Sequence, residues 1–278
     1  MKTFEWIWKS SDGLEMFSRS WSPNGKIRAL LVLVHGLGEH CGRYAHVAEA
    51  LAGAGYALAG FDLRGHGKSG GARGHAPSFE AFMKDIDGML EQASSRFPKL
   101  PQFVYGHSLG GILVLNYVLN RKPKLAGAVV TAPGLRTALE EQKGKVLLAR
   151  ILGAVFPSLG LPSGLDARVL SHDPQVVDRY VHDPLVHDRI SFGMARGTLA
   201  AVDWAYEHAA AFDLPLLLMH GAEDKIAYPS GSQEFAAKVK GDCTLKLWDG
   251  LYHEIHNEPQ KDQVFAFMID WLNGHTPS

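Results

Sequence analysis

Leu30-Leu31-Val32-Leu33-Val34 is apolar at every position and runs directly into His35-Gly36-Leu37-Gly38. A strand with one wet face alternates polar and apolar residues, so an unbroken run predicts a strand covered on both faces. Covering both faces takes helices on both sides, which is an α/β domain built on a mostly parallel sheet. The flanking sequence agrees. Tyr44–Ala54 has a helical pattern stopped at Gly55, and Tyr56–Phe61 reads as a short strand. Phe79–Phe97 spaces its apolar residues at helical intervals behind Ser78 as N-cap. Gln102–Tyr105, Leu109–Leu119 and Leu125–Thr131 then read strand, helix, strand. Ahead of all these, Phe4–Trp8 and Leu14–Trp21 predict an antiparallel hairpin turning at Ser10–Gly13.

The rhythm stops at Pro133-Gly134. From Leu135 to Ala211 the pattern offers helices and prolines but no strand. Alternation resumes with strand Leu214–His220, helix Ser230–Lys240, strand Thr244–Trp248, and a last helix starting at Asn257-Glu258-Pro259. The expected division is therefore a core in two parts, 1–134 and 212–278, with 135–211 inserted as a helical cap over the carboxyl edge of the sheet.

Composition removes several function classes. Lys plus Arg (28) balances Asp plus Glu (29), so no field draws the chain to nucleic acid. Cys41 and Cys243 form no CxxC pair, which leaves a disulfide framework or structural zinc nothing to build on. Charges interrupt the apolar residues of Met1–Lys9, unlike a secretory signal, and no apolar run reaches the ~18 residues of a membrane span. A soluble, reduced, cytoplasmic chain without cofactor, metal or obligate protein partner is expected.

The chemistry concentrates in four places. Gly106-His107-Ser108-Leu109-Gly110 is a G-x-S-x-G motif with a strand before it and a helix after it, the context of a nucleophile held on a sharp turn. An acyl-transfer site also needs two N–H donors for the oxyanion; Leu109 follows the nucleophile, and Leu37 sits in the Gly-rich loop after the first buried strand. A serine needs a base and the base a carboxylate, in the chain order Ser, acid, His. Asp224 follows the strand ending at His220, with Glu223 and Asp203 as weaker rivals; His253 follows the next strand and competes with His256. His253-Glu254-Ile255-His256 lacks the four-residue helical spacing of a zinc protease motif, and Gly65-His66-Gly67-Lys68-Ser69 lacks the first glycine of a P-loop.

Taken together, His35–Tyr44, Asp62–Ser69, Gly106–Gly111 and Tyr252–Glu258 resemble the monoacylglycerol lipase/lysophospholipase family of α/β-hydrolases over residues 28–134 and 212–272. The resemblance implies about eight strands and an apolar cap admitting lipid esters. It implies a triad of Ser108, Asp224 and His253, and Leu37 and Leu109 as oxyanion donors. Glu39 and Arg43 match positions lining the polar end where glycerol binds; a structural ion pair in the loop is the alternative. The cap matches loosely, apart from Asp183-Pro184-Leu185. The apolar stretch Leu147–Leu161 is expected either to guide the acyl chain and touch a lipid interface or to pack down on the core. A general carboxylesterase and a serine peptidase or amidase use the same constellation. An epoxide or haloalkane hydrolase would carry Asp at residue 108, and a binding protein derived from the fold would tend to lose a triad member.

Overall fold

The computed structural model describes residues 1–138 and 143–277. Among these residues, eight strands form one sheet and two short ones form a separate ribbon. In chain order the elements of the first part are β1 (Lys2–Lys9), β2 (Glu15–Ser22), β3 (Ala29–Val34), α1 (Ala45–Gly53), β4 (Tyr56–Phe61), α2 (Phe79–Arg96), β5 (Gln102–His107), α3 (Leu109–Arg121) and β6 (Gly127–Thr131). The inserted segment carries α4 (Lys143–Val155), β7 (Gly160–Pro162), α5 (Pro174–His182), β8 (Arg189–Ser191) and α6 (Phe192–His208). The last part is β9 (Leu216–Gly221), α7 (Pro229–Lys238), β10 (Cys243–Trp248) and α8 (Lys261–His275).

The large sheet runs β1-β2-β4-β3-β5-β6-β9-β10. The β1–β2 and β2–β4 pairs are antiparallel; every pair from β4 to β10 is parallel. All six residues of β3 are fully buried, as its uninterrupted apolar run demands. Successive side chains divide between two cores. Leu30, Val32 and Val34 join α2 and α3 residues such as Ile86 and Leu113, while Ala29, Leu31 and Leu33 join Val47 and Leu51 of α1 and Met268 and Leu272 of α8. Ser78 caps α2 through Ala81 N–H.

The chain passes from β3 to β4 on one side of it, then crosses back through α2 to β5 on the other. Such a switch point opens a crevice at the carboxyl ends of the two strands. The loops carrying Leu37 and Ser108 leave the sheet there.

Three expectations need correction. The inserted segment does contain strands: β7 and β8 pair antiparallel over three residues each, too few for an alternation to show in sequence. The last helix begins at Lys261; Asn257 instead ends a 3-10 turn, Ile255–Asn257. The helix expected from Tyr44 is preceded by another 3-10 turn, Cys41–Tyr44. Part of the expected cap, residues 139–142, and the side chains of Leu148, Ala149 and Arg150 within the apolar stretch lie outside the described residues.

The inserted segment rests on the crevice. Gly38 C=O accepts from His187 N–H at 2.9 Å, Gly74 C=O from Ser191 N–H at 2.8 Å, and Leu170 C=O from Glu254 N–H at 2.8 Å. Met194, Ala201, Val202 and Ala205 of α6 are buried in the core shared with α2 and α3. On the outer side, Leu147, Ile151, Val155, Phe156 and Leu159 are each more than half exposed. Among the described residues no helix is long and apolar enough to cross a membrane.

Candidate active site

Ser108 stands between β5 and α3 with φ 54° and ψ −115°, a backbone region that L-residues avoid and that costs ~1–3 kcal/mol unless its surroundings enforce it. The surroundings do. Ser108 N–H donates to Thr131 C=O at 3.0 Å and Ser108 C=O accepts from Ile112 N–H at 3.2 Å, so both ends of the turn are fastened. Glycine at 110 is a matter of space, since a Cβ there would lie 1.9 Å from Val34 O. At Gly36 a Cβ would come 2.8 Å from Glu39 Oε1 and 3.2 Å from Ser108 Cβ, so the loop after β3 approaches the serine only without a side chain.

His253 follows β10 and is 2% exposed. Its Nε2 lies 2.9 Å from Ser108 Oγ and its Nδ1 2.6 Å from Asp224 Oδ2. Asp224, 4% exposed in the loop after β9, accepts Ile226 N–H at 2.8 Å and Ala227 N–H at 3.0 Å on Oδ1. Burial opposes charge on Asp224, but the imidazoles of His253 and His220 hold its carboxyl well below the usual carboxylate range. Burial also opposes charge on His253; the Asp224 carboxylate outweighs it and raises the imidazole above its ordinary value. The three residues expected to act together are thus one hydrogen-bonded chain, drawn from three strand ends. The weaker candidates are elsewhere: Glu223 is exposed, Asp203 is on α6, and His256 packs against Tyr44 and His107.

The N–H groups of Leu37 and Leu109 meet no protein acceptor among the described residues. Leu109 opens the 13-residue α3, whose first N–H groups have no partner within the helix and whose dipole favours negative charge at that end.

Glu39 and Arg43 form an ion pair at 2.8 Å, and Arg43 also grips Glu254 with two bonds of 2.7 Å. Glu39 Oε1 takes Gly36 N–H at 2.7 Å and Tyr44 O–H at 2.8 Å. Burial raises Glu39 above the usual carboxylate range despite Arg43. For Glu254 burial is outweighed by Arg43, which holds it below that range. Glu254 adjoins His253, so the cluster ties the histidine loop to the loop bearing Leu37. Glu39 also borders the small cavity beside Ser108, whereas Arg43, under the Tyr180 ring at 4.7 Å, faces a separate polar pocket with His40 and Arg179. Replacing Arg43 with Met leaves two buried carboxylates without their cation, which should destabilise the fold by about 3–5 kcal/mol in urea unfolding.

Sequence reasoning missed Glu258, which has 0% exposure. It accepts Tyr252 N–H at 2.6 Å and His172 N–H at 3.0 Å, fastening the inserted segment to the residue before His253. It also missed Leu165, Leu170 and Tyr180, which line the cavity beside Ser108 from the inserted segment. The described residues contain no group of His, Cys, Asp or Glu suited to a metal ion. Cys41 is a buried thiol and Cys243 a half-buried one, both free.

The family description serine aminopeptidase, S33, matches residues 25–260. A monoacylglycerol lipase of Mycolicibacterium smegmatis is 35% identical over 266 residues, 95% of this chain and 94% of that protein. The chain belongs to the monoglyceride lipase family of α/β-hydrolases. The crystal structure of another family member, the Paleococcus ferrophilus monoacylglycerol lipase, superposes with a TM-score of 0.84 at 37% identity, covering 99% of this chain and all of that one. An uncharacterized abhydrolase domain-containing protein of Dictyostelium discoideum is 41% identical over 266 residues; this chain spans 95% of itself but 28% of that protein's length. Membership carries the coarse activity: the chain is a carboxylic ester hydrolase.

Proposed function

We propose that the chain is a serine esterase that cleaves monoacylglycerols through an acyl-enzyme, with Ser108 as nucleophile. The observation that carries this reading is the single imidazole, His253, standing 2.9 Å from the serine oxygen and 2.6 Å from a buried carboxylate. His253 Nε2 takes the Ser108 proton as Oγ adds to the ester carbonyl, and Asp224 stabilises the imidazolium. The N–H groups of Leu37 and Leu109 receive the oxyanion, each worth roughly 3 kcal/mol in the transition state. His253 returns the proton to the leaving alcohol; water then adds to the acyl-enzyme carbonyl as His253 takes its proton, the bond from Ser108 Oγ to the acyl group breaks to release the fatty acid, and His253 gives the proton back to Ser108 Oγ.

Residues 135–211 act as the cap in this account. Leu165, Leu170 and Tyr180 line the cavity beside Ser108 from the cap side, so a shift of the cap would widen the entry for an acylglycerol. At the polar end, Glu39 faces the glycerol hydroxyls. Arg43 serves that end from behind, through Glu39 and Glu254. The exposed row Leu147, Ile151, Val155, Phe156 and Leu159 is suited to contact with a lipid surface, each methylene buried there contributing about 0.8 kcal/mol.

A second reading, hydrolysis of an N-terminal peptide bond, is favoured by the family description that matches residues 25–260. A panel of mono-, di- and triacylglycerols, short nitrophenyl esters and an aminoacyl amide separates the two. Monoacylglycerols should give the highest kcat/KM, at least tenfold above the diacyl substrates; faster cleavage of the amide would overturn the proposal. Glu39→Ala should reduce monoacylglycerol cleavage more than nitrophenyl ester cleavage, since only the former substrate presents hydroxyls to that residue.

The pH dependence has a defined sign. His253 acts as a base only when neutral, and Asp224 lifts it above the ordinary 6.5. The acid limb of kcat/KM should therefore have its midpoint above 6.5, activity falling as pH drops through it.

A further inference from the structure

Asp224 carries a second imidazole. His220, near the end of β9, has 0% exposure, and its Nε2 lies 3.0 Å from Asp224 Oδ2, the oxygen that His253 Nδ1 also meets. The same Nε2 is 2.8 Å from Ala227 C=O, while Nδ1 is 2.7 Å from Ser232 Oγ at the start of α7. A carbonyl oxygen can only accept, so Nε2 carries the hydrogen and shares it between carbonyl and carboxylate. In a neutral ring Nδ1 is then an acceptor, which the Ser232 hydroxyl fills. One tautomer satisfies every bond of a ring that has no access to water.

Asp224 is saturated as a result. Two backbone N–H groups occupy Oδ1, and two imidazole nitrogens occupy Oδ2. Each donor withdraws charge from the carboxylate, so each one weakens the attraction left for the others. The remaining ionisable neighbours of the His253 ring are Glu254 in its own loop, His107 from β5 with centroids 4.9 Å apart, and Glu39 from the loop after β3. Arg43 lies between the two glutamates, and His256 packs on His107 at 4.8 Å. Among the described residues none of these hydrogen-bonds His220, whose partners are Ser232, Asp224 and Ala227.

We infer that His220, with its tautomer fixed by Ser232, is a positioning residue that sets how strongly Asp224 holds the proton of His253. The inference rests on the triad proposed above. Without the His220 N–H, the charge on Oδ2 is concentrated on His253, the imidazolium is favoured, and the neutral base appears only at higher pH. A residue that merely filled space would lower stability or rate without moving the pH dependence.

The test is the rate at which a fluorophosphonate labels Ser108 in the full chain between pH 5 and pH 10, with the labelled residue identified by peptide mapping. His220→Leu should move the acid limb upward by about one pH unit. His220→Gln, which keeps an N–H for Asp224, should restore the parent midpoint, and Ser232→Ala, which frees the tautomer, should shift it part of the way. Equal slowing of His220→Leu at every pH, or an equal shift in the Leu and Gln variants, would overturn the inference while leaving the triad standing. Labelling of a residue other than Ser108 in the parent chain would remove the triad, and this inference with it.

Discussion

Ser108→Ala should lower kcat for ester hydrolysis by about 10⁶-fold, leaving the fold in place. The loss is large because the oxygen is the bond-forming atom, and neither Asp224 nor His253 has work to do without it. The fold survives because, among the described residues, Ser108 Oγ has one protein partner, His253 Nε2 at 2.9 Å. The turn itself is held by backbone bonds to Thr131 and Ile112, which an alanine keeps. Urea unfolding should place the variant within about 1 kcal/mol of the parent. A drop of less than tenfold in turnover, with purity established, would contradict the assignment.

Asp224→Asn should reduce kcat by about 10⁴-fold with little change in KM. The physical reason lies in the donor count. Oδ1 faces two backbone N–H groups and Oδ2 faces two imidazole nitrogens. An amide offers one oxygen, so either flip points its NH₂ at two donors. Turning NH₂ toward the imidazoles withdraws the acceptor that fixes the His253 tautomer; turning it toward Ile226 and Ala227 breaks the loop. Stability should fall as well, by about 1–3 kcal/mol for the buried donors left unpaired. Glu223→Gln, one residue away and exposed, is the matched control and should leave both rate and stability unchanged. Steady-state kinetics and urea unfolding of the two variants together check this.

The parts of the fold legible in sequence are those written in local pattern. β3 declares itself by six successive apolar residues, and Ser78 marks the start of α2 through its side chain. The elbow at Ser108 is legible because glycine is the only residue that fits at 110, against Val34 O. Asp224 and His253 follow from chain order combined with strand ends. What was not legible depends on partners distant in sequence. Arg43 and Glu254 are 211 residues apart, and nothing local distinguishes Glu254 from a solvated glutamate beside a histidine. In sequence Glu258 reads as part of a helix start because Pro259 follows it; in the fold it gathers N–H groups from Tyr252 and His172. β7 and β8 are strands only because each has the other, and Pro162 in a three-residue segment argues for a loop. His220 read as the last residue of a strand, and its contact with Asp224 emerges only when the loop after β9 turns back on itself.

The central claim is a covalent ester between an acyl group and one serine. Rapid acid quenching during turnover of a monoacylglycerol or nitrophenyl ester, followed by intact mass measurement and peptide mapping, observes it directly. An increment equal to one acyl group on the peptide containing Ser108, absent from Ser108→Ala, is the expected result. An acyl group on a different residue, or turnover by Ser108→Ala at a rate near that of the parent, would contradict the account.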